Sequence, residues 1–220
     1  MKTILLISFM LFLYSSNAQT SWTGIDNGKW NDSDNWTNGV PDKYTDAIIG
    51  DANFTGSYQP YLNGGTAKCK NLTIGNETAA CTLSISNELV IYGDLLIGSK
   101  GTILADDNNR SIKIEGNWTN NGTYLASTSS ARVIFSGPNS ILSGNTSFEK
   151  LKVNYNCLLT LSDDITVNNE LEVRGVFDPT DSYSLSGTGD VKITSTGEIK
   201  VHTAVLSTNY PISGTYYIDD

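Results

Sequence analysis

The chain predicts an all-β protein built as a parallel β-helix, and three observations carry that expectation. The first is a short apolar-x-apolar strand that returns about every 20 residues. Its occurrences are Leu72-Thr73-Ile74, Leu89-Val90-Ile91, Ile112-Lys113-Ile114, Val133-Ile134-Phe135, Leu151-Lys152-Val153, Leu171-Glu172-Val173 and Val191-Lys192-Ile193, stepping by 17, 23, 21, 18, 20 and 20. A fixed period in this range marks a solenoid, in which each unit buries its apolar face only by stacking on a neighbour. The second is that every strand signal beyond the N-terminal leader has period two, with Thr, Ser, Val, Ile and Tyr frequent and no amphipathic helical stretch. The third is a recurring corner. Ile91-Tyr92-Gly93-Asp94-Leu95 leads to Gly101-Thr102-Ile103-Leu104, and Ile114-Glu115-Gly116-Asn117-Trp118 leads likewise to Gly122-Thr123-Tyr124-Leu125. Three short strands and three corners in one period make one rung.

Residues 1–18 read as a secretory signal. Lys2 supplies the positive start, Ile4 to Tyr14 are apolar apart from Ser8, and Ser16-Asn17-Ala18 is a small-x-small cleavage site, so the mature chain is expected to start at Gln19. An apolar run of eleven residues is too short for a membrane span, which needs about 20. Residues 19–65 are expected to form a Trp-rich N-terminal cap and first rung. They hold Trp22, Trp30 and Trp36, then Gly39-Val40-Pro41 and a first strand at Asp46-Ala47-Ile48-Ile49. A terminal unit must cover the open end of the stack and so departs from the repeat. Residues 66–220 are the β-helix repeats, ending in Tyr217-Ile218-Asp219-Asp220 as a fragment of a longer protein would. Gly197-Glu198-Ile199-Lys200-Val201 resembles the second half of a unit. The competing fold is a sandwich of antiparallel hairpins, since Asn38-Gly39, Asn63-Gly64 and Asn121-Gly122 favour tight turns. Asn121-Gly122 stands where another repeat has Lys100-Gly101, which favours a recurring corner.

The formal charge is −9. That argues against a nucleic-acid partner, which would need a basic face, and is compatible with cation binding or with solubility alone. The cysteines number three, so no disulfide framework is indicated. Cys81-Thr82-Leu83-Ser84-Ile85 and Cys157-Leu158-Leu159-Thr160-Leu161 align, which suggests that both thiols take one inward position as small hydrophobes. Cys69 and Cys81 are the sequence-near pair, and spacing leaves a disulfide between them open.

The opening Trp-x-Gly with Trp30, Asp34-Asn35-Trp36, Gly39-Val40-Pro41 and Asp46-Ala47-Ile48-Ile49 resembles the start of large secreted surface proteins of the Bacteroidota. Gly116-Asn117-Trp118-Thr119-Asn120-Asn121-Gly122-Thr123, Val133 to Asn154, and Leu161-Ser162-Asp163-Asp164-Ile165-Thr166-Val167 are similar to their repeats. The resemblance covers nearly all of residues 20–201. It implies a right-handed parallel β-helix in an adhesin-like or autotransporter-like protein, in a family exported by type IX secretion, and it supplies no catalytic residues. The expected function is accordingly that of a non-enzymatic extracellular module, with glycans or a host or cell surface as the partner.

No residue is assigned as catalytic, cofactor-binding or metal-binding. His202, the lone histidine, sits in a strand pattern, and no nucleophile elbow, P-loop or dinucleotide fingerprint is present. The acidic groups are Asp106-Asp107-Asn108-Asn109, Asp163-Asp164, and Asp26, Asn31, Asp32 and Asp34 around the tryptophans. A β-helix can carry a polysaccharide lyase or hydrolase on such carboxylates, with Arg110 or Lys113 as the basic partner. Asp and Asn also make corners, by bonding the local backbone. Trp22, Trp30 and Trp36 could stack on sugars or fill the cap core; Trp118 is expected at a corner, in register with Leu95.

Overall fold

The computed structural model describes residues 18–62, 64–76, 79–105 and 111–200, with the strand backbone of 216–219. The leader up to residue 17, the Asp106–Arg110 group, Asn63 and His202 lie outside the described residues.

The chain enters at β1 (Ala18–Ser21) and passes a 3-10 turn (Ser33–Asn35) before β2 (Thr45–Ile49) and β3 (Ala67–Cys69). Next come three turns of three strands each. They are β4 (Leu72–Ile74), β5 (Cys81–Ile85) and β6 (Leu89–Ile91); β7 (Leu95–Ile97), β8 (Gly101–Ala105) and β9 (Ser111–Ile114); then β10 (Trp118–Asn120), β11 (Thr123–Ala126) and β12 (Arg132–Phe135). The two turns after these join their second and third strands into one: β13 (Asn139–Ser143) with β14 (Thr146–Val153), and β15 (Leu158–Leu161) with β16 (Ile165–Val173). Last come β17 (Val176–Asp178), β18 (Leu185–Ser186), β19 (Asp190–Thr194), β20 (Glu198–Ile199) and β21 (Tyr216–Asp219).

These strands stack into three parallel sheets. The first is β1-β2-β4-β7-β10-β13-β15-β17-β20, the second β5-β8-β11, and the third β3-β6-β9-β12-β14-β16-β19-β21. The fold is a β-solenoid with turns of about 21 residues. At a strand spacing of about 4.8 Å the first sheet runs about 40 Å along the axis. The hairpin sandwich is excluded, because every strand-to-strand pairing in these sheets is parallel.

The core is a set of columns. In the third sheet Leu89, Ile112, Val133, Leu151, Leu171 and Val191 are successive register partners and all are buried. In the first, Ala47, Leu72, Leu95, Trp118, Leu142 and Leu161 do the same. Stacking like on like removes each apolar face from water, worth about 25 cal/mol per Å². Leu72 therefore does not begin the Leu89 series. The register partner of Leu89 is Ala67, 22 residues back, and the short 17-residue step joins two different sheets. Glu198–Ile199 likewise opens a turn, pairing with Val176 and Phe177, rather than continuing one.

Residues 22–66 close the N-terminal end. Trp22 and Trp36 meet edge to face at 5.1 Å, Trp30 and Trp36 at 4.8 Å, and all three rings are buried. Trp22 Nε1 donates to Tyr58 O at 2.9 Å and Trp36 Nε1 to Trp30 O at 2.8 Å. Asn35, fully buried, fixes the loop: its Oδ1 accepts from the N–H groups of Asp26 and Asn27, and its Nδ2 donates to Asn27 Oδ1 and Lys29 O. Tyr61 makes single parallel bridges to Lys29 and Ser84, so the cap prolongs the second sheet beyond β5. The strand at Asp46 is the second rather than the first, for β1 pairs with it from Ala18↔Thr45 to Ser21↔Ile48. Ala18-Gln19-Thr20-Ser21 lacks apolar alternation; its pairing partner makes it a strand.

Asx residues hold one corner together rung by rung. Asp46 Oδ1 accepts from Asn71 Nδ2 (2.8 Å), Asn71 Oδ1 from Asp94 N (2.8 Å), Asp94 Oδ1 from Asn117 N (2.7 Å) and Asn117 Oδ1 from Ile141 N (2.8 Å). Asp94→Ala is expected to lower stability by about 1 kcal/mol, because the Asn117 N–H loses its acceptor. Asp94→Asn, which keeps a carbonyl oxygen, should cost less; urea denaturation compares the two.

Candidate functional site

The outward face of the third sheet carries the densest charge among the described residues. It is built by the middle residue of the apolar-x-apolar strand and by the residue just before that strand, which alternation turns to solvent. Lys113, Ile134, Lys152, Glu172 and Lys192 form one register column, and Arg132, Lys150, Glu170 and Asp190 the next. Lys152 Nζ lies 3.0 Å from Glu172 Oε2, and Arg174 Nε bonds the other oxygen of the same carboxylate. Lys192 Nζ lies 2.7 Å from Glu170 Oε2 and Arg132 Nη2 3.7 Å from Glu170 Oε1, while Arg132 Nε is buried without a partner. Lys113 pairs with Glu88 at 3.0 Å.

Two carboxylates two residues apart on one face invite comparison with a glycosidase pair. The electrostatics oppose it. Burial by itself raises the Glu172 carboxyl, but the hydrogen bonds and charges of Lys152 and Arg174 outweigh it and hold the group below the ordinary glutamate value of 4.5. A general acid needs the opposite displacement, toward neutral pH.

The depressed value has a consequence for stability. Its contribution is complete above the unfolded-state value near 4.5 and is lost as pH falls through the lower folded value. Glu172→Gln is expected to cost about 1–2 kcal/mol at pH 7, between the ranges for exposed and fully buried pairs. The variant should also show a flatter dependence of Tm on pH below about 4.5 than the parent. Thermal melts from pH 2 to 7 measure both.

The other acidic groups among the described residues are bonded within the fold. Asp32 accepts from Asn27 Nδ2 at 2.7 Å and caps the 3-10 turn through Asp34 N at 3.2 Å; these bonds hold its carboxyl below the usual range. Asp26 accepts from the same Asn27 amide, and Asn31 Nδ2 donates to Gly64 O at 2.8 Å. Asp163 accepts from Asp164 N, and Asp164 accepts from Ser184 N of the next turn at 2.7 Å. Among the described residues no group of three or more His, Cys, Asp and Glu side chains is placed to hold a metal ion.

Residues 21–136, more than half the chain, match a family described as a domain of unknown function (DUF8693). The chain belongs to the DUF8693 family. No curated protein matches it, and neither does any solved structure. The DUF8693 match takes in the cap and the turns through β12. Glu170, Glu172 and Arg174 lie beyond it.

The three buried tryptophans of this DUF8693 cap offer no face for a sugar. Trp118 sits in the core rather than at a corner, edge to face with Tyr124 (5.2 Å) and Phe148 (5.4 Å), though its register with Leu95 is as expected. Cys69, Cys81 and Cys157 are free, buried thiols. Burial pushes Cys69 upward, and Cys81 and Cys157 each to about 11, so all three are protonated and inert at neutral pH. Cys81 and Cys157 do not share a position. Cys81 opens β5 in the second sheet, whereas Cys157 precedes β15 in the first, and a shared apolar alternation makes their segments look equivalent.

A pocket of about 350 Å³ opens at the corner between the third and first sheets, where β12 turns into β13, β14 into β15, β16 into β17 and β19 into β20. Tyr155, Asn156, Arg174 and Thr196 line it. The Tyr155 ring is half exposed, and the Arg174 guanidinium carbon stands 5.4 Å from its centroid. Residue by residue, the charge columns are legible in the sequence as the x of each anchor and the residue just before it; the pocket is not, because its lining comes from four separate corners.

Proposed function

We propose that this chain is a non-enzymatic, exported module that serves as a structural spacer and adhesin-like contact element at a bacterial surface. One observation carries the reading: among the described residues, the Asx corner residues and the carboxylates of the charged face are engaged in holding neighbouring turns together. The Asx ladder bonds rung to rung, and the carboxylates of Glu170 and Glu172 are paired to cations of adjacent strands. The sequence resemblance to Bacteroidota surface proteins adds export by type IX secretion and continuation into further repeats. Glycans or a cell surface are the partners this setting provides. The signal pattern of residues 1–18 supports an extracellular location, with the mature chain beginning at Gln19.

The reading is tested by fractionating the native host, sequencing the mature N-terminus, and screening the purified protein on acidic polysaccharides with and without calcium. Surface location, a start at Gln19 and no cleavage support it. Substrate cleavage abolished in Glu170→Gln or Glu172→Gln would overturn it in favour of a carbohydrate-active β-helix. Within that second class, the half-exposed Tyr155 beside a fixed arginine favours sugar binding over hydrolysis.

A further inference from the structure

We infer that the Tyr155–Arg174 corner is a binding subsite for an acidic saccharide, a sugar ring carrying a carboxylate or sulfate group. This deepens the contact-module reading and rests on it for its setting. Three features of the corner converge. The first is an aromatic wall: sugars present an apolar C–H face, and the half-exposed Tyr155 ring is flat and held at a turn where Asn156 takes φ +60°.

The second is a preorganised cation. Arg174 is tied through Nε to Glu172, and Glu172 is tied on its other oxygen to Lys152. The guanidinium is thus held beside the tyrosine ring, with its Nε taken by Glu172. A planar fork held in place loses little entropy when it takes a carboxylate or sulfate. Arg174 is the one charged side chain among the described residues of the lining, on a chain of net charge −9. The corner therefore offers an anion a local cation on a chain whose net charge is negative.

The third is room with polar edges. The volume falls at the small end of the range for ligand sites. A Cβ on Gly175 would lie 2.3 Å from Cys157 O, so this part of the lining is bare backbone. Thr196 Oγ1 donates to Arg174 O at 3.0 Å and keeps its lone pairs for a sugar hydroxyl.

The full chain is titrated by calorimetry with a galacturonate tetramer, a sulfated tetrasaccharide and a neutral tetrasaccharide. The expected result is binding of one or both acidic probes, weakening as salt rises, with the stronger probe distinguishing carboxylate from sulfate. Tyr155→Ala and Arg174→Gln should each weaken it by about tenfold or more, the loss of one charge-assisted contact, while Tyr155→Phe should bind as the parent does. Equal binding of the neutral probe, no binding of either acidic probe, or an unchanged affinity in Tyr155→Ala overturns the assignment. Should Arg174→Gln lower Tm, Thr196→Glu places an opposing charge in the pocket while Lys152, Glu172 and Arg174 themselves stay in place; unchanged affinity there also overturns it. Failure of these titrations leaves surface location and cell binding untouched, and those are read separately by fractionation.

Discussion

Trp118→Ala is expected to remove about 3–5 kcal/mol, the range for deleting a large buried aromatic. The ring is fully buried in a middle turn, between Tyr124 and Phe148, and its Nε1 donates to Thr146 Oγ1 at 3.3 Å. Its loss opens a cavity and leaves Tyr124 and Phe148 without their shared partner. A domain total of about 5–15 kcal/mol makes this a large fraction of stability. In a solenoid the break also lies between neighbours that communicate only through that turn. Urea denaturation should therefore show a lower midpoint and a smaller m-value, as the cap end and the far end begin to unfold separately. Trp118→Phe, which keeps an aromatic in the column, should lose well under half as much.

Gly144→Ala is the second large effect, expected at about 3 kcal/mol, the sum of a conformational and a steric cost. Gly144 stands at φ +85° where β13 turns into β14, and a Cβ there would lie 2.0 Å from Asn120 O. The left-handed conformation costs an L-residue about 1–2 kcal/mol, and moving backbone to relieve the contact adds about 1–3 kcal/mol. Gly39 separates the two causes. It has φ +80° with nothing within 4 Å of the added carbon, so Gly39→Ala should show the conformational cost alone. Equal losses in the two variants, read from thermal melts, would show that crowding at the Gly144 corner is relieved without penalty.

The architecture is legible in the sequence because a parallel stack repeats its own constraints. Each turn needs the same inward apolar pair, so Leu151-Lys152-Val153 and Leu171-Glu172-Val173 announce one position. Even the Trp118–Leu95 equivalence can be read from the flanking Gly-Asx corners. The errors have one source. Apolar alternation looks the same on every face of the solenoid, so Leu72 aligns with the Leu89 series, and Cys81 with Cys157, although each pair lies on different faces. Second and third strands run together in β14 and β16, whose mutual register shifts between Phe148 and Lys150, and no residue type there signals it.

By itself the sequence determined the parallel β-solenoid and the length of its turn, because period and alternation are local properties that stacking requires of every unit. Only the tertiary structure decided which face each strand occupies, that the cap tryptophans are buried, and that Lys152, Glu172, Arg174 and Tyr155 meet at one corner. Those residues are neighbours across rungs about 4.8 Å apart while about 20 positions separate the turns that supply them. Proximity of that kind is a product of register, and register is set by the whole stack.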